Sequence, residues 1–341
     1  MKNFIFFRTD RLGDFLIITN IIKTIKDKYP KSKITVVASQ LNYQFIKKYK
    51  IIDRVILFNK NYNFLKKIDL FKKINDRNYD VSFSIDGKSF SNLCTFFLTS
   101  KKKFGLIYRS KILGIPFDKP NFLFKSIFDY YETFTSKEYL LKIEHLPTKL
   151  INLANKLSFK IKSKDKYYFS PSIKESYFKK KLNINIKKKF VLIHLDEKWN
   201  DIKGIEVELF KNLIKFQKSI NMNIIITAKN NQNVYFKKIK YFLNRKKYNK
   251  IILLDNLNLN VMERLINYSV YSISCHSGFL VQIAGCNKTK LIDIINKKDL
   301  IWYSCWKPLN TKHKFVLKSN YQKKFNIEKI FKNIVKISKK F

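Results

Sequence analysis

Phe6-Phe7-Arg8-Thr9-Asp10-Arg11-Leu12-Gly13-Asp14-Phe15-Leu16-Ile17-Ile18-Thr19-Asn20 carries an apolar strand into a charged loop and straight on into a helix. Asn3 to Phe7 reads as a buried strand, Arg8 to Asp14 as a loop in which Gly13 permits a tight turn, and Phe15 to Tyr29 as an amphipathic helix. Asp14 therefore stands at the carboxyl end of a strand. Ligands of open α/β sheets bind in the crevice outside those ends, so a carboxylate there is a candidate general base. The competing reading makes Asp14 a helix cap and nothing more.

The same alternation continues outward. Lys33 to Ala38, Arg54 to Phe58 and Val81 to Ile85 read as strands, with helices over Asn42 to Lys48 and Phe64 to Asn75. A helical stretch is expected from Tyr130 to Leu157, followed by a lysine-rich segment, Lys160 to Lys189, that holds the interdomain linker. The pattern restarts with strands at Phe190 to His194, Asn223 to Thr227, Ile251 to Leu254, Val270 to Ser274 and Lys290 to Ile294. Helices are expected at Val207 to Ser219, Met262 to Asn267 and Phe279 to Gly285. Alternating strands and helices imply parallel sheets covered by helices. A chain of 341 residues exceeds what one core usually serves. The expectation is an α/β protein with two Rossmann-like αβα domains facing a central cleft. Residues 1–165 form the first, 166–189 the linker, 190–325 the second and 326–341 a final helix that crosses back onto the first.

Seventy basic residues against 25 acidic ones give a formal charge of +45. Lysine supplies nearly all of it, since arginine, the residue that grips phosphate bidentately, occupies only seven positions. The abundance of Lys, Ile, Asn, Phe and Tyr also matches codons rich in A and T, so base composition is one source of the charge. Attraction to an anionic membrane surface and attraction to nucleic acid are the others. No apolar run is long enough to span a bilayer and Met1 to Phe7 reads as too short for a signal peptide, so a cytoplasmic protein is the expectation. Cys94, Cys275, Cys286 and Cys305 lie far apart without a CxxC, so they read as reduced structural thiols.

Two loops in the second half share the strand-end position of Asp14. Cys275-His276-Ser277-Gly278 leads from a strand into a helix, whose first N–H groups form an anion site. Ser277 adds a hydroxyl and Gly278 allows close approach of a ligand, although capping alone also explains such a pair. In Leu195-Asp196-Glu197-Lys198-Trp199-Asn200, Lys198 is placed to neutralise a leaving phosphate or else is one solvated lysine among many. Trp199 reads as packing at a site rim or a domain face.

The opening Arg8-x-Asp10-Arg11-Leu12-Gly13-Asp14, followed by a helix and Tyr29-Pro30-x-Ser32-x-Ile34, resembles the N-terminus of glycosyltransferase family 9, the heptosyltransferases of lipopolysaccharide core assembly. Asn78-Tyr79-Asp80 into Val81 to Ile85 and Lys88 to Phe97 is similar to the family's third conserved strand and acceptor-side helix, and Phe104-Gly105 to the short strand after it. His194 to Trp199 falls where the family carries Lys-x-Trp or Lys-Trp, and Ile273 to Gly285 where it carries Asp-Ser-Gly-x-x-His-x-x-Ala. The resemblance implies a GT-B fold and inverting transfer of a heptose or related sugar from a nucleotide-diphosphate donor. It implies no cofactor and no metal. Asp14 is then the general base, with Arg8, Asp10, Arg11 and Gly13 shaping the acceptor-side loop. Lys198, His276, Ser277 and Gly278 bind the donor diphosphate.

The acceptor so implied is a lipid-linked saccharide at the cytoplasmic face of the inner membrane, where dispersed lysines would retain the protein. Two positions depart from the family pattern: His276 stands where it has Asp, and Val281 where it has His. The first removes a carboxylate for the donor sugar, the second an imidazole for the diphosphate, and His276 is the residue that can take over a phosphate contact. Two alternatives stay open, a catalytically degenerate GT-B protein and a nucleic-acid-binding or RNA-modifying Rossmann-like protein. The lysine runs Lys101 to Lys103, Lys179 to Lys181 and Lys187 to Lys189 fall in expected linkers and loops, without a recognisable nucleic-acid-binding motif.

Overall fold

Every residue of β1 (Asn3–Arg8) after the first is buried, as in a central strand covered on both faces. The computed structural model, which describes residues 1–112, 115–119, 125–161, 173–228, 234–246, 248–309, 311–321 and 323–341, divides into two units. Unit 1 comprises Met1–Tyr168 with Ser304–Leu309, and unit 2 comprises Phe169–Tyr303 with Asn310–Phe341.

In unit 1, β1 is followed by α1 (Leu12–Ile17), α2 (Thr19–Lys28), β2 (Lys33–Ser39), α3 (Tyr43–Ile46), β3 (Arg54–Phe58), α4 (Phe64–Ile74) and β4 (Tyr79–Ser84). Then come α5 (Ser89–Phe97), β5 (Ser100–Ile112), β6 (Ile115–Lys119), β7 (Tyr130–Thr135) and α6 (Leu146–Asn155). Among the described residues the strand order is β3-β2-β1-β4-β5-β6, with β7 alongside β5. Every pairing is parallel except that of β5 with β6. The order reverses direction between β1 and β4, which makes their carboxyl ends the topological switch point. Phe7 lies opposite Ser84, and the rings of Phe6 and Phe83 stack at 4.6 Å. The loops after these two strands therefore leave the sheet side by side.

Unit 2 repeats the plan. After α7 (Glu175–Leu182) come β8 (Phe190–Leu195), α8 (Ile205–Ile220), β9 (Asn223–Ala228), α9 (Val234–Lys246), β10 (Ile251–Asp255), α10 (Leu259–Tyr268) and β11 (Tyr271–Ser274). The chain goes on through α11 (Gly278–Asn287), β12 (Lys290–Asn296), α12 (Leu300–Cys305), β13 (His313–Ser319) and α13 (Ile327–Ser338). Its all-parallel order is β10-β9-β8-β11-β12-β13, so the switch point lies between β8 and β11. Ser274 is flanked by His194 on one side and Asp293 on the other.

Several expectations are corrected. The helix read over Phe15 to Tyr29 is two helices, interrupted at Ile18, because the Thr19 hydroxyl donates to the Leu16 carbonyl and the Asn20 side chain accepts the Ile21 N–H. Such side chains compete with the helical ladder. Gly13 makes no tight turn; it sits in the first turn of α1. Tyr130 to Thr135 is strand rather than helix, consistent with its aromatic and β-branched content, and Tyr130 stacks on Phe104 of β5 at 5.2 Å. Phe104-Gly105 belongs to a strand of 13 residues. The segment read as linker carries α7, closed by Asn183 in the left-handed conformation, while residues 162–172 lie outside the described residues. Lys101 to Lys103 open β5, and Lys179 to Lys181 fill the last turn of α7, where cations complement the helix dipole. The final helix packs within unit 2. Its face Ile327, Ile330, Phe331 and Ile334 is buried, with Phe331 against Phe216 of α8. All four cysteines are buried and outside any disulfide, and no helix among the described residues is long and apolar enough to cross a membrane.

Candidate functional site

At the switch point of unit 1 the loop after β1 is folded around Arg8. Its buried guanidinium donates from Nη1 to the Ile85 carbonyl at 2.6 Å and from Nε to the Asp14 carbonyl at 2.8 Å, and it pairs with Asp10 at 3.0 Å. Arg8 thus ties the ends of β1 and β4 to the first turn of α1. From the other side Ser39 donates to the Asp10 carbonyl and Asn42 to the Arg8 carbonyl, at 2.8 and 2.9 Å. Arg11 is exposed and precedes α1 as its cap residue.

Asp14 does cap the helix: its Oδ2 accepts the Arg11 N–H at 3.1 Å. Among the described residues nothing donates to its Oδ1, and the side chain is half-buried. Burial raises its pKa above the ordinary aspartate value, with Arg8 and Arg11 opposing. Burial likewise pushes the Asp10 carboxyl well up, against Arg8. Capping therefore occupies one carboxylate oxygen and leaves the other for a second role.

The loop after β4 supplies residues that were not singled out in the sequence. Asp86 accepts on Oδ2 from the Thr9 N–H, the Thr9 hydroxyl and the Ser91 hydroxyl at 3.1, 2.6 and 2.7 Å, and on Oδ1 from the Lys88 N–H at 3.1 Å. Lys88 Nζ donates to the Thr9 carbonyl, locking the two switch-point loops together. Gly87, at φ +65°, lies under the Tyr108 ring, and a Cβ there would meet Tyr108 Cδ2 at 1.9 Å. Gly87→Ala is expected to destabilise unit 1 by roughly 1–3 kcal/mol through strain and overpacking. Thermal unfolding checks this, with Gly87→Ala/Tyr108→Ala recovering only the steric part. The signal for this loop was available in Ile85-Asp86-Gly87-Lys88, which has the same grammar of strand end, carboxylate and glycine.

In unit 2, a short 3-10 turn, Glu197–Asp201, follows β8, and the Asp196 side chain accepts the Lys198 N–H at 3.2 Å. Burial pushes Asp196 up to about 6, with Lys198 opposing. Lys198 Nζ donates to the His276 carbonyl at 2.7 Å, so the two sequence-identified loops do meet. Trp199 is not at a rim. It is fully buried in the unit 2 core, its indole N–H donating to the His194 carbonyl at 2.9 Å.

His276 adopts φ +57°, a left-handed conformation uncommon for a residue with a Cβ. What holds it there is Asp293, fully buried in β12. Its Oδ1 accepts the His276 N–H at 2.7 Å, and its Oδ2 meets His276 Nδ1 at 2.6 Å and His313 Nε2 at 3.3 Å. Burial acts to raise the Asp293 pKa, but the two histidines outweigh it and hold the carboxyl well below the usual range. The ionised acceptor assigns the proton to Nδ1 of His276, and among the described residues nothing bonds its Nε2. The imidazole stacks on Tyr303 at 3.6 Å. Ser277 precedes α11 without capping it, its N–H reaching Ser274 Oγ at 3.4 Å. Gly278 is exposed, and among the described residues, its own chain neighbours and helix backbone aside, no atom stands within 4 Å of where its Cβ would be, so the space beside the helix start is open. Val281 is buried in α11. Asp293, His313 and Tyr303 were missed by sequence reasoning. Only Asp293 gave a signal, as a lone carboxylate inside Leu291-Ile292-Asp293-Ile294-Ile295, where burial demands a partner. Among the described residues no group of three or more His, Cys, Asp or Glu is placed to hold a metal ion.

Two Rossmann-like units, each with charged loops at its switch point, make this a GT-B fold. Solved structures of the same architecture align along nearly the whole chain. A glycosyl transferase family 9 structure from Veillonella parvula DSM 2008 matches at a TM-score of 0.73 and 10% identity, covering 99% of this chain and 96% of that one. The E. coli ADP-heptose lipopolysaccharide heptosyltransferase II matches at 0.66 and 13%, covering all of both chains. A UDP-N-acetylglucosamine 2-epimerase described as putative, from Listeria monocytogenes, matches at 0.58 and 10%, covering 99% and 88%. No protein-family model and no curated protein matches the sequence. Identities this low establish a shared fold.

Proposed function

We propose that the chain is an inverting, metal-independent glycosyltransferase that moves a heptose or related sugar from a nucleotide-diphosphate donor to a lipid-linked saccharide of the lipopolysaccharide core or another surface glycan. The observation that carries this reading is Asp14, a carboxylate at the unit 1 switch point with one oxygen fixed by the Arg11 N–H and a pKa raised by burial. The structural likeness to a family 9 glycosyltransferase and to an ADP-heptose heptosyltransferase supports it.

Asp14 Oδ1 takes the proton of an acceptor hydroxyl as that oxygen attacks the anomeric carbon, and the bond from that carbon to the diphosphate oxygen breaks with inversion. Arg8 and Asp10 hold the loop, Arg11 and Gly13 complete its turn into α1, and unit 1 serves the acceptor. Unit 2 serves the donor. The departing diphosphate is met by the N–H groups of Ser277 and Gly278 at the positive end of α11 and by Lys198, which keeps two N–H donors beyond the one spent on His276. His276 Nε2 adds the contact that replaces the family's missing side chains. Preorganised dipoles and a cation supply the leaving-group stabilisation that a divalent ion supplies elsewhere.

A thermal-shift panel of nucleotide diphosphates and nucleotide sugars, run beside single-stranded RNA at two salt concentrations, tests the reading. One nucleotide diphosphate is expected to stabilise the protein at both salts. Lys198→Ala is expected to weaken that binding and lower turnover, each by about tenfold or more. Stabilisation by RNA alone, fading with salt, would transfer the protein to the nucleic-acid reading. The absence of any nucleotide response would make it a degenerate member of its fold.

A further inference from the structure

Lys198 is held from behind by a second lysine. Lys318, in β13, is only 4% exposed, and its Nζ donates to the Lys198 carbonyl at 2.6 Å and to Asp201 Oδ2 at 3.2 Å. A side chain from this strand reaches the loop after β8 because β13 is irregular at that residue. Leu317 lies opposite Ile295 and Ser319 opposite Asn296, so Lys318 is the extra residue of a β-bulge against β12. Bulges re-aim side chains in this way, often beside functional loops. The bulge is itself braced. The Lys318 carbonyl accepts the Phe325 N–H at 2.8 Å, and Ser319 Oγ donates to Asn296 Oδ1 at 2.8 Å.

Stability alone does not account for a lysine at this position. Burying an ammonium carries a desolvation penalty that an apolar side chain of similar length avoids. The carboxylate it meets, on Asp201, is 58% exposed, so solvent screens that ion pair. What this lysine does specifically is hold the Lys198 carbonyl. Asp196 Oδ1 accepts the Lys198 N–H on the other side of the same Cα, so the main chain of Lys198 is gripped at both ends. Its ammonium meanwhile lies on the His276 carbonyl. We propose that Lys318 is a positioning residue for the donor diphosphate, fixing the turn so that the Lys198 ammonium is aimed before the ligand arrives. The inference rests on the reading of Lys198 as a diphosphate ligand. Ordering the turn in the free protein removes an entropic cost that binding would otherwise carry.

Calorimetric titration of ADP against adenosine, and of UDP against uridine, isolates what the phosphates add to affinity. Lys318→Met keeps the apolar length of the side chain and is expected to fold, since an apolar group replaces a buried ammonium. It is expected to weaken diphosphate binding about three- to tenfold and to leave nucleoside binding within about twofold. In a Lys198→Ala background the same substitution is expected to change diphosphate affinity by less than about twofold, because the tether acts through that side chain. Lys324→Met removes an exposed ammonium from the loop paired with Ser319, leaves the tether in place and is expected to bind like the wild type. In the free protein, Lys318→Met is expected to speed hydrogen exchange at the Lys198, Trp199 and Ile202 N–H groups at least about tenfold. Should Lys318→Met not fold, Lys318→Gln, about one bond too short to reach the carbonyl, carries the same expectations. Equal losses of nucleoside and diphosphate affinity overturn the proposal, as does an undiminished effect of Lys318→Met in the Lys198→Ala background. An equal loss in Lys324→Met would make the effect one of charge and overturns it too, as does unchanged exchange. A wild type that binds none of the four ligands overturns the transferase reading and the diphosphate role together, while the exchange measurement decides the tether by itself.

Discussion

Asp14→Asn is expected to lower kcat by about 10²- to 10⁴-fold, the span of positioned acid–base catalysis, while donor affinity and the melting temperature stay close to those of the wild type. The substitution separates the cap that Asp14 forms from the base role proposed for it. An Asn side-chain oxygen can still accept the Arg11 N–H, so the first turn of α1 keeps its cap, but no oxygen remains that can hold the acceptor proton. Because burial raises the Asp14 pKa, the acid limb of the wild-type rate profile should lie above the roughly 3.9 of an ordinary aspartate. Single-turnover kinetics with the donor named by the thermal-shift panel gives both quantities. A variant that turns over normally, or one that loses donor binding in proportion to rate, would remove Asp14 from the chemistry.

Asp293→Ala is expected to be the most damaging substitution in unit 2. It strips a fully buried carboxylate from two histidines and leaves the His276 N–H unanswered, a loss of about 3–5 kcal/mol by comparison with other broken buried pairs. It also releases the left-handed backbone at His276, hence the carbonyl that Lys198 grips, so donor binding should fall with stability. The folded pKa of Asp293 lies below its unfolded value. Its contribution is therefore complete above about pH 4 and is lost as pH falls from there toward the folded pKa. Denaturant unfolding from pH 7 down to pH 3 should show that acid-linked component in the wild type and not in Asp293→Asn. An equal acid dependence in both proteins would mean that the carboxylate is not the anchor described.

The carboxyl-end loops were legible in the sequence because one physical contrast announces them: an apolar run stops at charged or small residues and a helix follows at once. Asp14, Lys198 and His276 were found that way, and Asp86 could have been. What stayed hidden depends on distance along the chain. Asp293 lies 17 residues beyond His276 and reaches it only because β11 and β12 pair in register. Tyr108 covers Gly87 from the middle of a strand whose length the local pattern at Phe104-Gly105 did not reveal. The rarity of Trp199 next to a strand end says nothing about its direction; a 3-10 turn rotates the indole inward. The alternation of β7 is too weak to separate it from helix, and its pairing with β5 is what fixes it as strand.

The interruption at Ile18 has a mechanical consequence for Asp14. A rigid rod running from Leu12 to Lys28 would transmit any tilt of its far end directly to the carboxylate. With the ladder broken between α1 and α2, displacement of α2 can be absorbed at a single residue, while the six-residue α1 stays fastened to the sheet through Arg8. Substitutions along the solvent side of α2 should thus drift freely without degrading the placement of Asp14, so that the outer shell of unit 1 can vary while the proposed base stays in register.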